Sequence, residues 1–346
     1  MSAVPPTVKS AEAAATTEDA GAKPASDVAR WSTLGEWLSR WTVVIGFVVM
    51  VLLFTALKPS TFFTLTTLKN IVNQSAVPAI LVAGLTFVLA AGEFDLSFTA
   101  TVGMCAAIVV VLMAHDGLSI ALACLLTLLA GGAAGVAVGW LVTLGRASSF
   151  IVTLAIGSVF TGIELAITGS NTIYSGIPQA FGKLTADHLL GLYLPDWLAV
   201  VIIVYCGVLL HGTRFGRHVT AIGGNPVAAY LGGVKIRRVR VLCFVLVSVF
   251  SAFAAIILTS RAISYYPNSS AGLLLSSYAA VFLGAAAGWR TTRFTIPGSV
   301  FGVVWLITLQ TGLTYVNASA WLNSLMEGLV LLVAVLIAQR GKRVTT

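Results

Sequence analysis

The chain has 346 residues, of which 58% are hydrophobic and 9% charged, with a mean hydropathy of +0.97. Soluble domains carry about 25% charged residues, so this chain has too few to cover a water-exposed surface and reads as an integral membrane protein. The net charge of +8 does not point to nucleic acid, because in a membrane protein Lys and Arg report topology.

Residues 1–30 are rich in Ala, Thr, Pro, Glu and Asp without apolar periodicity and read as a disordered cytoplasmic tail. They lack the apolar core of a secretory signal. In "WSTLGEWLSRW" (31–41), Trp31, Leu34, Leu38 and Trp41 fall at helical spacing. This suggests a short helix lying in the membrane interface, with a solvated connector as the alternative. A membrane domain follows over 42–338, with apolar runs at 42–57, 71–91, 97–114, 118–142, 150–168, 195–211, 241–259, 271–289, 295–315 and 320–338. A helix needs about 20 apolar residues to cross a bilayer, and lipid offers the backbone no other hydrogen-bond partner. The expected fold is an all-α polytopic bundle of about ten transmembrane helices. If the N-terminus is cytoplasmic and the sides alternate, the outside holds only Lys58, Lys69, Lys183 and Arg261, leaving 16 of the 20 cations inside. That bias supports the count, with both termini cytoplasmic and a short tail at 339–346.

"AGEFDLSF" (91–98) sets Glu93 and Asp95 between two apolar runs. Gly92 breaks helix, and Asp95 suits the N-cap of a helix expected to start at Leu96. The segment is either a tight cytoplasmic hairpin or a break in a helix that lines a pathway. Charges amid apolar runs mark functional positions by default; a purely capping carboxylate is the structural alternative. Further along, Gly131, Gly135 and Gly139 repeat at four-residue spacing, as do Gly284 with Gly288 and Gly298 with Gly302. Such stripes let helix backbones approach closely in lipid. Cys105, Cys124, Cys206 and Cys243 lie within apolar runs and read as small core residues. Glu164 and Glu327 suit either a proton pathway or a helix-end or interhelical hydrogen bond, and the second reading is preferred.

Two hydrophilic segments are long. The expected outside loop, 169–194, mixes apolar and polar residues between Pro178 and Pro195 and is expected to receive a partner through Pro178, Phe181 and Lys183. The expected cytoplasmic loop, 212–240, carries a cluster of cations. Within it Asn225 is a good N-cap, Pro226 suits the first helical position, and Gly232-Gly233 ends the turn. A helix this short cannot hold alone in water and needs a partner surface. "GIPQAFGKL" (176–184) is one residue too long for a phosphate loop and has Leu184 in place of the hydroxyl. No hydrolase or metal motif appears, and the four histidines are scattered.

"NIVNQSAVPAILVAGLTFVLAAGEFDLSFTATVGM" resembles the signature region of ribose/xylose/arabinose-type permeases of ATP-binding-cassette importers, which read Gly-Gly-Ile-Asp-Leu-Ser-Val-Gly there. Asp95, Leu96 and Ser97 match; Glu93 replaces the second Gly, and Phe98-Thr99 replaces Val-Gly. "ASSFIVTLAIGSVFTGI", "TRFGRHVTAIGGNPVAAYLGGVKIRRVR", "SRAISYYPNSSAGLLLSSYAAVFLGA" and "LMEGLVLLVAVLIAQR" are similar to the same family, whereas Trp289, Arg290 and Arg293 depart from its usual glycines. The resemblance implies that the short helix couples to a separate cassette ATPase through Arg214, Phe215, Gly216, Arg217, Gly223, Gly224, Asn225, Pro226, Ala228 and Ala229. ATP is then bound by that partner, and this chain is no enzyme and needs no cofactor. It further implies a periplasmic or extracellular sugar-binding protein, a second permease subunit (an identical copy or a paralogue), and a place in the bacterial inner membrane. Glu93, Asp95 and Ser97 become candidates for the pathway of a sugar or polyol. An ion-coupled secondary transporter of a small polar solute is the alternative.

Overall fold

The structure, a computed structural model, describes residues 25–145, 147–287 and 294–340, with side chains described over 41–336 of these. The described residues up to 41 and those from 42 onward fall into separate units, and the packing below is that of the second. The first 24 residues of the expected tail lie outside the described residues, as do Trp289, Arg290, Arg293 and residues 341–346. Segment 31–41 is helical backbone within α1 (Ala25–Leu57).

The apolar runs form α2 (Leu65–Ala90), α3 (Phe98–Ala114), α4 (Ile120–Leu144), α5 (Ser149–Thr168), α7 (Leu194–Gly212), α10 (Ile236–Ala262), α11 (Leu273–Ala286), α12 (Ile296–Tyr315) and α13 (Ala320–Arg340), besides α1. Among the described residues, six helices are long and apolar enough to cross a membrane; Trp41–Leu57, Phe98–Ala114, Leu273–Ala286 and Ala320–Leu336 are apolar but shorter. Several helices run past their apolar stretch. α2 starts at Leu65 because Thr64 caps it, its Oγ1 accepting from the Thr67 N–H at 3.2 Å. The first two turns of α10 carry Arg237, Arg238 and Arg240 ahead of the apolar run.

α10 packs against α2, α3 and α4. Ile80, Leu81, Val82 and Leu85 of α2 are fully buried and cover more than one face of the helix, so it is enclosed rather than amphipathic. The glycine stripe of α4 lies on α10: a Cβ on Gly135 would sit 2.6 Å from the Val245 Cα, and one on Gly139 2.8 Å from the Val241 Cα. Gly284 of α11 meets Gly298 of α12, and Gly302 meets Ala280, backbone against backbone. Gly288 lies outside the described residues. Leu129 on α4, Leu154 on α5 and Val201 and Val204 on α7 stay exposed, as lipid-facing side chains do.

Two loop regions cap opposite ends of α7 and α10. One holds α6 (Gln179–Ala186) and a small hairpin, β1 (His188–Leu189) with β2 (Leu192–Tyr193). The other holds α8 (Arg214–Gly224) and α9 (Pro226–Leu231). α8 is absent from the sequence reading, although Phe215, Val219 and Ile222 repeat at helical spacing; the glycines among them hide the pattern.

Candidate functional site

α2 closes at Ala90. Gly92 takes a positive φ of 79°, its N–H bonds the Leu89 carbonyl, and the Glu93 N–H bonds the Val88 carbonyl at 3.1 Å. This satisfies late carbonyls of the helix in the usual glycine-ended manner. α3 begins at Phe98 with Ser97 at the N-cap position, so the expected helix start at Leu96 is corrected by two residues. The backbone between is not helical, yet its donors are satisfied. Phe94 N–H bonds Ser149 Oγ at 3.1 Å, Leu96 N–H bonds Thr153 Oγ1 at 3.0 Å, and Asp95 N–H bonds the Tyr278 hydroxyl at 3.1 Å. Tyr278 in turn donates to the Asp95 carbonyl at 2.7 Å. Irregular backbone among membrane helices is tolerated where protein supplies such partners. Ser149 and Thr153, one turn apart on α5, carried that signal in the sequence and went unread.

Asp95 and Ser97 are fully buried. Asp95 Oδ1 accepts from the Ser97 N–H at 2.8 Å and from Ser97 Oγ at 2.6 Å, while Oδ2 is buried without a partner. Asp95 thus braces the turn ahead of α3 instead of capping a helix that starts at Leu96. Its linker lies outside both flanking helices. Burial pushes the carboxyl up to about 6, against the lowering effect of the Ser97 hydrogen bonds.

A cavity of about 690 Å³ opens beside this turn, lined by Glu93, Phe94, Phe150, Thr220, Tyr278 and Phe282 among others. Phe94, Tyr278 and Phe282 stack in series, with ring centroids 6.2 Å and 6.4 Å apart. Of the three pathway candidates, Glu93 lines the cavity; Asp95 and Ser97 do not. The turn lies at the α8/α9 end of the bundle: Gly223, near the end of α8, packs on the Ala90 carbonyl, and a Cβ on Gly92 would be 3.5 Å from the Gly223 Cα. Glu93 Oε1 pairs with Arg240 Nη2 of α10 at 2.8 Å. With Asp95 and Ser97 fully buried, the turn is not an exposed hairpin. It is a buried turn clasped by the α8–α10 segment.

In that segment Thr213 Oγ1 accepts from the Gly216 N–H, and Asn225 Oδ1 accepts from the Val227 and Ala228 N–H groups at 3.0 Å each, so the expected Asn225 cap is present. Gly216 and Ala229 face inward, whereas Arg214, Arg217, Gly223, Gly224, Asn225, Pro226 and Ala228 are exposed and Phe215 is half-buried. Val227, Tyr230 and Leu231 are 67%, 70% and 80% exposed, one apolar face at i, i+3 and i+4.

At the opposite end, Pro178 precedes α6 and Lys183 is exposed, but Phe181 is fully buried. Its carbonyl accepts from Ser260 Oγ at 2.7 Å, so Phe181 anchors the loop to α10 and offers no surface to a partner. Tyr174 and Leu190 are the prominent exposed apolar side chains there. Glu164 is buried and accepts from the Tyr265 hydroxyl at 2.8 Å and the Asn268 N–H at 3.1 Å. Glu327 accepts from Gln310 Nε2. Glu327 thus has the interhelical bond preferred from sequence, whereas Glu164 bonds residues of the connection between α10 and α11. Among the described residues no group of three or more His, Cys, Asp or Glu side chains could hold a metal.

Residues 67–335 match the family described as branched-chain amino acid transport system / permease component. The ribose import permease protein of Bacillus subtilis (strain 168) is 35% identical, over 86% of this chain and 91% of its own. The ribose import permease protein of Escherichia coli (strain K12) is 28% identical, over 87% and 94%. The L-arabinose ABC transporter permease protein of Azospirillum brasilense is 31% identical, over 88% and 89%. No solved structure matches this chain. With the matched region running from the start of α2 nearly to the end of α13, the chain belongs to this family of membrane transport permease components.

Proposed function

We propose that this chain is the membrane-spanning subunit of a binding-protein-dependent ATP-binding-cassette importer in the bacterial inner membrane, carrying a sugar or sugar-like polyol. The observation that carries the reading is α9: a capped, six-residue helix whose Val227, Tyr230 and Leu231 are left exposed among the described residues. A helix this short holds only against a partner surface, and the chain has no phosphate loop of its own. A separate cassette ATPase seated on α9 meets both needs. The names of the relatives, ribose, L-arabinose and autoinducer 2 permeases, support a small polyhydroxy substrate. A sugar-binding protein then docks at the opposite loop, on exposed residues such as Tyr174, Lys183 and Leu190.

The architecture that goes with this reading has ten spans, counting the four shorter apolar helices, and both termini on the α8/α9 side. It has two permease subunits, identical copies or a pair of paralogues. On α5 Ala155, Ser158, Gly162 and Ala166 form an exposed stripe of small residues, and nothing lies within 4 Å of a Cβ placed on Gly162. Such a stripe suits close approach of a second subunit.

The test is uptake in vesicles containing the partner subunits. Uptake should need ATP and survive a protonophore, and Tyr230→Ala with Leu231→Ala should abolish both uptake and co-purification of the ATPase. Uptake driven by an ion gradient alone would instead establish the secondary transporter.

A further inference from the structure

Glu93 stands where the resembling permeases carry a glycine. Its side chain joins two places that nothing else connects by charge: among the described residues, Glu93 and Arg240 form the one ion pair, at 2.8 Å. Glu93 lines the aromatic cavity at the end of α2. Arg240, in the first turns of α10, lines a different cavity of about 850 Å³, shared with Tyr230 and Leu231 of α9. The pair therefore ties the wall of one cavity to the element that carries the exposed apolar face. We propose that the Glu93–Arg240 pair is a clasp that positions the α2–α3 turn against the α8–α10 segment and delivers movement of α9 to the mouth of the aromatic cavity.

Three further observations support it. First, the two segments already touch, with Gly223 against the Ala90 carbonyl and the Phe87 ring 6.0 Å from that of Phe215. The ion pair adds to this short-range packing an attraction that persists as the segments begin to separate. Second, the pair is partly wet, with side-chain exposures of 12% for Glu93 and 27% for Arg240. At such a site the net interaction is modest and can open and close, unlike a sealed interior pair. Third, Arg240 Nε is buried without a hydrogen-bond partner, so the guanidinium has an unused donor. Leu89 lines the same cavity, is buried with the clasp closed, and can report on its opening.

Labelling tests the clasp without any partner subunit. Leu89→Cys is introduced and treated in inside-out vesicles with a membrane-impermeant maleimide; the parent chain, whose four cysteines are buried or half-buried, is the blank. Glu93→Gln or Arg240→Gln should raise the labelling rate about fivefold, the factor that a loss of about 1 kcal/mol confers on an opening equilibrium. The exchange of Glu93→Arg with Arg240→Glu should bring the rate back towards that of the parent. Should a single variant fail to insert, the double neutral Glu93→Gln/Arg240→Gln leaves no unpaired charge and should show the same increase. Unchanged labelling in the neutral variants, or an exchange variant as fast as the single ones, would overturn the clasp.

The delivery of movement rests on the transport reading and has its own measurement. In the complex with its ATPase, uptake per ATP hydrolysed should fall about fivefold in the neutral variants, and the exchange should restore it. Full uptake per ATP in the neutral variants would refute delivery. If the parent shows no ATP-driven uptake, the transport reading fails while the labelling result still decides the clasp.

Discussion

At the residue scale, Asp95 and Glu164 are buried carboxylates with different burdens. Asp95 satisfies two donors of Ser97. Asp95→Ala leaves both buried and unpaired, and roughly 2 kcal/mol of stability should go with them. Asp95→Asn keeps an acceptor in the same place and should cost less. Thermal unfolding of the purified chain orders the two; equal losses would contradict the bracing role. The carboxyl of Asp95 has a folded pKa of about 6 against 3.8 ordinarily, so the folded state binds its proton more tightly. That stabilisation is full below the ordinary value and lost as pH rises through about 6. The melting temperature should therefore decline over this window, and Asp95→Asn should remove that part of the decline. For Glu164, Gln keeps the acceptor used by Tyr265 and Asn268, so Glu164→Gln should transport nearly as the parent does. Lost uptake in that variant would revive proton coupling.

At the element scale, the two glycine-paired interfaces determine which helices are neighbours. A Cβ on Gly135 would press on the Val245 Cα at 2.6 Å, and backbone cannot step aside as a flexible side chain can. Gly135→Ala should destabilise by about 1–3 kcal/mol. Gly132→Ala, one turn away on an open face, meets only Val249 Cγ2 at 3.7 Å and should be close to neutral. Detergent-solubilised melting curves compare the pair directly, and an indifferent Gly135→Ala would remove the α4–α10 contact from the account. α9 depends on its cap in a similar way. Asn225→Ala removes the acceptor of two N–H groups and should weaken the helix by about 1 kcal/mol. Uptake should drop while insertion is kept.

At the scale of the whole molecule, the prediction concerns sides. The α6 loop and the α8/α9 loop cap opposite ends of α7 and α10, and both Ser175 and His218 are exposed. Ser175→Cys and His218→Cys should label from opposite faces of the membrane, with His218→Cys on the cytoplasmic face. Labelling of both from one face would sink the ten-span arrangement. Cross-linking of Ser158→Cys between two chains, read as a disulfide dimer on a gel, checks the α5 face as the meeting surface; monomer alone under oxidation would move that surface elsewhere.

Sequence alone determined the membrane environment, the apolar helices, the Asn225 cap and the family resemblance, because each depends on local composition, spacing or a short motif. The α4 glycine stripe was legible for the same reason, although its partner α10 was not: spacing shows that a face is small, never what covers it. What the tertiary structure decided lies in contacts between residues far apart in the chain. Ser149, Thr153 and Tyr278 reach the 94–96 backbone from α5 and α11. Phe181 turns inward onto α10, Asp95 spends its carboxylate on Ser97, and Glu93 finds Arg240 across 147 positions of sequence. A carboxylate between apolar runs announces only that burial must be compensated. Whether a neighbour in the turn or a cation on another helix supplies the compensation is settled by packing.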